Sequence, residues 1–194
     1  MTRVLRAVDR IAVPWKNGGG ITRELAVQPP GATMDGFDWR VSIAEVSEGG
    51  PFSSFPGIDR VLTVIEGAGL SLSIDGRTAV TMDAASPPLT FPGEARCEAS
   101  LKFGPIRDLN IMVRRGAYRA HVRRRSLDAG DALACTSEAT LLLTLEAVAA
   151  SWPGGEAALQ ADDALLVPSG VSVTFARAVR LVLAEIDAAA MPQG

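Results

Sequence analysis

Among the side chains that can do chemistry, histidine sets the tightest limit: His121 is the only one in 194 residues. Most zinc, iron, nickel and copper sites need two or three imidazoles. A Ser-His-Asp or Cys-His arrangement would have a single base to draw on. His121 also lies within Arg114–Arg125, a stretch with six arginines, and that positive charge disfavours the protonated form a working base must pass through. Cys97 and Cys135 sit in apolar, strand-like contexts with no Cys-x-x-Cys spacing, which reads as two free buried thiols in a reducing compartment. Gly18-Gly19-Gly20 lacks the Gly-Lys-Ser/Thr of a phosphate loop. No pair of carboxylates has a spacing that points to glycosidase chemistry. The sequence therefore predicts no metal and no cofactor.

What remains is arginine and amide chemistry. Of 19 basic residues only Lys16 and Lys102 are lysines. Guanidinium groups suit planar, two-point recognition of carboxylates, although a GC-rich coding sequence yields the same bias. Arg40 and Ser42 share a strand face with the small Ala44, so that face either looks into a lumen with room above it or forms the solvent side of an outer sheet. Asn110 shares its face with Asp108 and Met112; its amide can donate and accept, toward a ligand or across a strand pair. Asn17 either hydrogen-bonds a substrate amide or closes a left-handed turn. Trp15 and Phe55 either wall a pocket or plug the end of a barrel.

The elements that must position these groups are strands. Residues 38–44, 70–74, 108–113 and 171–175 alternate apolar and polar side chains, and Asp75-Gly76 is a hairpin turn signal. With 19 Gly and 12 Pro, the chain is punctuated at Gln28–Gly31, Gly49–Pro51, Ser86–Pro88 and Trp152–Gly155. Short strands at this spacing predict an all-β sandwich or barrel. The Glu138–Ala150 stretch is expected to be one strand. A weak repeat pairs Val64–Gly67, Asp75-Gly76, Met82-Asp83 and Phe91–Gly93 with Thr144–Ala147, Gly154-Gly155, Ala161-Asp162 and Val167–Gly170, which predicts two related β-halves. A chain of this size buries roughly 70% of its unfolded surface and needs no staple.

The balance of 19 basic and 22 acidic residues, net −3, draws the protein to neither nucleic acid nor an anionic membrane. The Arg114–Arg125 stretch, with Tyr118 as its sole aromatic, reads as a charged edge strand and not as an RNA surface. Met1–Arg6 has no apolar signal-peptide core. The longest apolar run, Leu141–Ala150, has ten residues and contains Glu146, too short to span a bilayer. A cytoplasmic location is expected.

Four ordered blocks, Trp15–Glu24, Phe37–Ala44, Gly50–Arg60 and Gly104–Arg115, resemble the HutD/Ves family. The resemblance implies a cupin-like double-stranded β-helix in two related halves, a bicupin. The expected division is 1–115 for a half carrying the pocket, 116–187 for a degenerate half and 188–194 for a flexible tail. It also links the chain to histidine utilisation, or to the stress responses associated with Ves-type members. Val64–Gly69 looks like the glycine turn of metal-binding cupins. By that resemblance Arg60 stands where their carboxylate ligand would be, their two imidazole positions fall near Ser53 and Phe55, and the histidine of their second motif falls near Arg96. A cation site so altered is expected to hold an anion. The expected ligand-binding set is Trp15, Asn17, Arg40, Ser42, Phe55, Arg60, Arg96 and Asn110. The expected partner is a small acidic, amide-bearing metabolite such as formylglutamate, bound in a regulatory role. A metal-independent isomerase or hydrolase using Glu24, Asp59 or Cys97 is the alternative, and an exposed β edge is compatible with a homodimer.

Overall fold

The computed structural model describes residues 1–190 and consists of strands, with one turn of 3-10 helix at Ala7–Asp9. The first strands are β1 (Arg3–Leu5), β2 (Ala12–Pro14), β3 (Gly20–Gln28), β4 (Trp39–Val46), β5 (Gly50–Pro51) and β6 (Ile58–Glu66). They are followed by β7 (Leu70–Ile74), β8 (Val80–Met82), β9 (Leu89–Pro92), β10 (Cys97–Leu101), β11 (Ile106–Arg114) and β12 (Tyr118–Leu127). The last are β13 (Ala132–Cys135), β14 (Ala139–Thr144), β15 (Val148–Trp152), β16 (Gly155–Leu159), β17 (Ala164–Pro168), β18 (Val171–Phe175) and β19 (Val179–Ala188). Among the described residues no helix is long and apolar enough to cross a membrane.

The chain forms two compact units. Ile11–Arg119 makes one, with a sheet ordered β2-β3-β4-β11-β6-β9 and a second ordered β5-β10-β7-β8. Its core contains Leu62, Leu70, Leu72, Phe91 and Ala99. Met1–Arg10 and the chain from Ala120 onward make the other, with sheets ordered β1-β17-β14-β19-β12 and β13-β18-β15-β16. There Leu142, Leu165, Val173, Phe175 and Leu183 form the core. The run β4-β11-β6-β9 in the first unit has the same order as β12-β19-β14-β17 in the second, and β5-β10-β7-β8 matches β13-β18-β15-β16.

Three details differ from the sequence reading. The Glu138–Ala150 stretch is two strands, β14 and β15, because the chain turns at 145–147, where Glu146 accepts the Arg180 N–H. The first ten residues group with the C-terminal segment and not with the half that follows them. Buried Asp163 holds them there, accepting from the Ala7 N–H at 2.8 Å and the Arg6 guanidinium at 2.7 Å. Of the expected tail at 188–194, Ala188 ends β19 and residues 191–194 lie outside the described part.

The strands that carry the site are buried on both faces, since Val41 and Ile43 are covered on one side of β4 and Ser42 and Ala44 on the other. Gly67, at φ +96°, turns β6 into β7 where an added Cβ would lie 2.6 Å from the Pro105 carbonyl and 2.9 Å from Ile106 Cα, at the start of β11. Gly67→Ala is expected to cost about 2 kcal/mol or more, by backbone strain plus overpacking. Gly76→Ala, at φ +69° with nothing within 4 Å, should cost about 1 kcal/mol. Urea denaturation of the two variants checks this, and equal losses would contradict the close packing at Gly67.

Candidate functional site

The site is built on β11, which runs antiparallel between β4 and β6. Pairing sets three rows across these strands: Ala44, Asp108 and Val64; Ser42, Asn110 and Leu62; Arg40, Met112 and Arg60. Side chains on a strand alternate between faces, so these rows share one face, and β9 adds Phe91 opposite Arg60. A cavity of about 770 Å³ opens over the rows, with Trp15, Lys16 and Asn17 of the β2–β3 turn among its lining residues.

Arg60 is 6% exposed. Its guanidinium lies over the rings of Phe52, Phe55 and Phe91, at 5.3, 5.4 and 5.2 Å from their centres. Nε donates to Asn110 Oδ1 at 3.3 Å and Nη1 to the Ser53 carbonyl at 3.4 Å. Among the described residues no carboxylate forms an ion pair with it. Burial lowers its proton affinity, against the opposing charge of Asp108. Interiors rarely hold a charge without a partner, and three stacked rings replace only part of its lost hydration.

Asp108, 1% exposed, lines the same cavity, and its Oδ1 has no hydrogen-bond partner. Burial pushes its pKa up to about 7, while the Arg60 charge and the Asn110 amide work the other way. Sequence reasoning placed Asp108 on Asn110's face but not in the site. Phe52, Phe91 and Lys16 were also missed. Phe91 is recognisable only from the β6–β9 register, which the sequence does not carry.

Seven of the eight expected ligand-binding residues line this cavity: Trp15, Asn17, Arg40, Ser42, Phe55, Arg60 and Asn110. The Arg40–Ser42 face is thus the lumen face. Arg40 is already paired, donating to Glu24 at 2.8 Å. Asn17 closes a turn, its Oδ1 accepting from Gly19 N at 3.1 Å. Trp15 donates to Thr22 Oγ1 at 2.7 Å. Arg96 is not brought to the site. It is exposed, and its main-chain N–H goes to Asp75 at 2.9 Å. Alternation along β10 turns its neighbour Cys97 inward instead, close enough to Arg60 for the guanidinium to influence its ionisation. The Cys97 thiol is buried and held protonated, with its pKa raised by desolvation.

The resemblance to metal-binding cupins implies a metal. Among the described residues no three His, Cys, Asp or Glu side chains cluster as metal ligands, and the buried cation lining the cavity is a guanidinium. The donor set does not fit a metal.

The fold places the chain among cupin-like proteins. A cupin 2 conserved barrel domain protein from Leptotrichia buccalis superposes with a TM-score of 0.63 at 9% identity, over 90% of this chain and 92% of that one. Within that class the chain belongs to the HutD family, whose model matches residues 7–183. HutD from Pseudomonas fluorescens SBW25 superposes with a TM-score of 0.81 at 34% identity, over 98% of this chain and 100% of that one. A conserved protein of unknown function from Pseudomonas aeruginosa PAO1 gives 0.87 at 34%, over 96% and 99%. An uncharacterised 21.2 kDa protein from the hutC 3′ region of Pseudomonas putida is 41% identical over 62% of this chain. Protein Ves of Citrobacter koseri is 45% identical over 56%. These alignments span 63% and 56% of the two curated relatives' own lengths.

The buried Asp108 has a measurable consequence for stability. Its folded pKa lies above the ordinary 3.8, so its contribution is fully present below that value and is lost as pH rises through about 7. Asp108→Asn should therefore be more stable than wild type at pH 8, by up to about 4 kcal/mol, since each tenfold of proton affinity is worth about 1.4. The difference should vanish near pH 4. Denaturation at the two pH values checks this, and a variant less stable at pH 8 would contradict it.

Proposed function

We propose that this HutD-family protein is a metal-free, cupin-like small-molecule binding protein whose cavity takes a small carboxylate at Arg60. The observation that carries this reading is a guanidinium buried to 6% exposure, caged by three rings and without an ion pair among the described residues. Among the described residues its hydrogen bonds come from Nε and Nη1, which leaves the Nη2 arm of the fork for an incoming oxygen. The strand runs that the two units share support a bicupin in which the first half keeps the site. In the second half Leu142 and Leu183, directly paired, belong to an apolar core.

Family membership, together with a relative from a hutC 3′ region, favours a regulatory role in histidine utilisation. The favoured ligand is formylglutamate or a close relative, an acidic molecule with an amide. One carboxylate meets Arg60. Lys16 is exposed and forms no ion pair among the described residues, so it is a freer second cation than Arg40, which Glu24 neutralises. Ser42 and Asn17 also line the cavity and offer polar contacts to the amide.

The enzyme alternative loses its named groups to other work. Glu24 pairs with Arg40, Asp59 pairs with Arg115 at 2.7 Å, and Cys97 is held as a thiol.

A charge-assisted Arg–carboxylate contact is worth about 1.5–3 kcal/mol. Calorimetry with formylglutamate, formiminoglutamate, glutamate and urocanate should find a ligand whose affinity falls roughly ten- to a hundred-fold in Arg60→Ala. Arg60→Lys should also weaken it, since an ammonium cannot reproduce the planar fork. Unchanged binding in Arg60→Ala would overturn the reading, and slow conversion of the bound ligand followed by NMR would favour the enzyme.

A further inference from the structure

We propose that Asp108 is the second contact for the anion: in its neutral form its carboxyl O–H donates to a ligand oxygen, so a carboxylate enters the cavity together with one proton. This rests on the Arg60 reading above and adds to it a residue and a coupling.

The geometry comes from the sheet. Arg60 starts in the Met112 row, but its Nε reaches Asn110 at 3.3 Å, which brings the guanidinium over the middle row. Asp108 stands one row further along the same face. The two side chains do not form an ion pair, so their charged atoms are more than 4 Å apart. Both line one cavity. A carboxylate between them turns one oxygen to the open Nη2 and presents the other to Asp108.

Asp108 cannot meet that oxygen as an anion. Two carboxylates at hydrogen-bond distance repel unless they share a proton. Ligand binding also cancels the Arg60 charge, which is what favours the ionised form of Asp108. Both effects drive protonation, and the proton comes from solvent. The buried Oδ1 without a partner supplies the site for that hydrogen. Burial already brings the group to the edge of protonation near neutral pH.

The groups around Asp108 are few. Ala44 and Val64 flank it on β4 and β6. Arg60 faces it from β6, and β10 brings the Cys97 thiol close to that guanidinium. The Arg40–Glu24 pair comes from β4 and β3, and Lys16 from the β2–β3 turn. His121, on β12, is exposed and does not line the cavity.

The test is titration calorimetry of the full chain with formylglutamate from about pH 6 to 8.5. It is run in HEPES and in Tris, whose ionisation enthalpies differ, at constant ionic strength. Both probe carboxylates stay ionised throughout, so any proton exchanged belongs to the protein. Wild type is expected to lose affinity toward about tenfold per pH unit above neutrality, with uptake rising toward one proton per ligand. Asp108→Asn is expected to bind with an affinity independent of pH and a heat independent of buffer. Binding by wild type with a flat profile and no proton uptake would overturn this proposal and leave the Arg60 site standing. The same slope in Asp108→Asn as in wild type would also overturn it. The buffer dependence of wild type is decisive alone if that variant does not fold. Failure of the probe to bind wild type at any pH would remove the anion reading itself, and this proposal with it.

Discussion

Arg60 has been taken out of water with no carboxylate paired to it among the described residues, and much of the first unit's cavity is arranged around that charge. Three phenylalanine rings from the 51–55 segment and β9 cover it, Asn110 holds its Nε, and a backbone carbonyl takes Nη1. Direct pairing with Asp108 would satisfy both groups and close the site. The row of Asn110 lies between them, and Asn110 takes the Arg60 Nε. The result is a separated pair, each member interacting with the other's charge but not bonded to it. Such an arrangement costs stability in the free protein.

The two units give the same strand order two uses. In the second, leucines, valines and a phenylalanine meet across the sheets and fill the interior. In the first, the corresponding central strands carry Ser42, Arg60, Asp108 and Asn110 on the cavity face, and apolar packing is displaced toward Leu62, Leu70, Leu72 and Phe91. The second unit is packed with apolar side chains throughout, while the first carries polar groups.

The strands were legible because alternation and turn residues are local properties. Residues 70–74 and 171–175 are strands as read, and the Asp75-Gly76 turn follows with both residues at positive φ. The cavity face was legible in part, since Arg40, Ser42 and Ala44 fall on one side of a strand whatever it pairs with. What failed was register. The resemblance to the second cupin motif points to Arg96, and a shift of one residue turns a strand side chain to the opposite face; Cys97 is the inward residue. Asp108 was visible as a neighbour of Asn110, but nothing in the sequence says that an aspartate is buried with an unpaired oxygen. That follows only from the pairing of β11 with both β4 and β6.

A crystal structure of the protein grown with formylglutamate tests the anion site most directly. The expected result is a carboxylate in the cavity with one oxygen about 2.8 Å from Arg60 Nη2 and the other facing Asp108. A direct Arg60–Asp108 ion pair, or a ligand carboxylate bound away from Arg60, would contradict it.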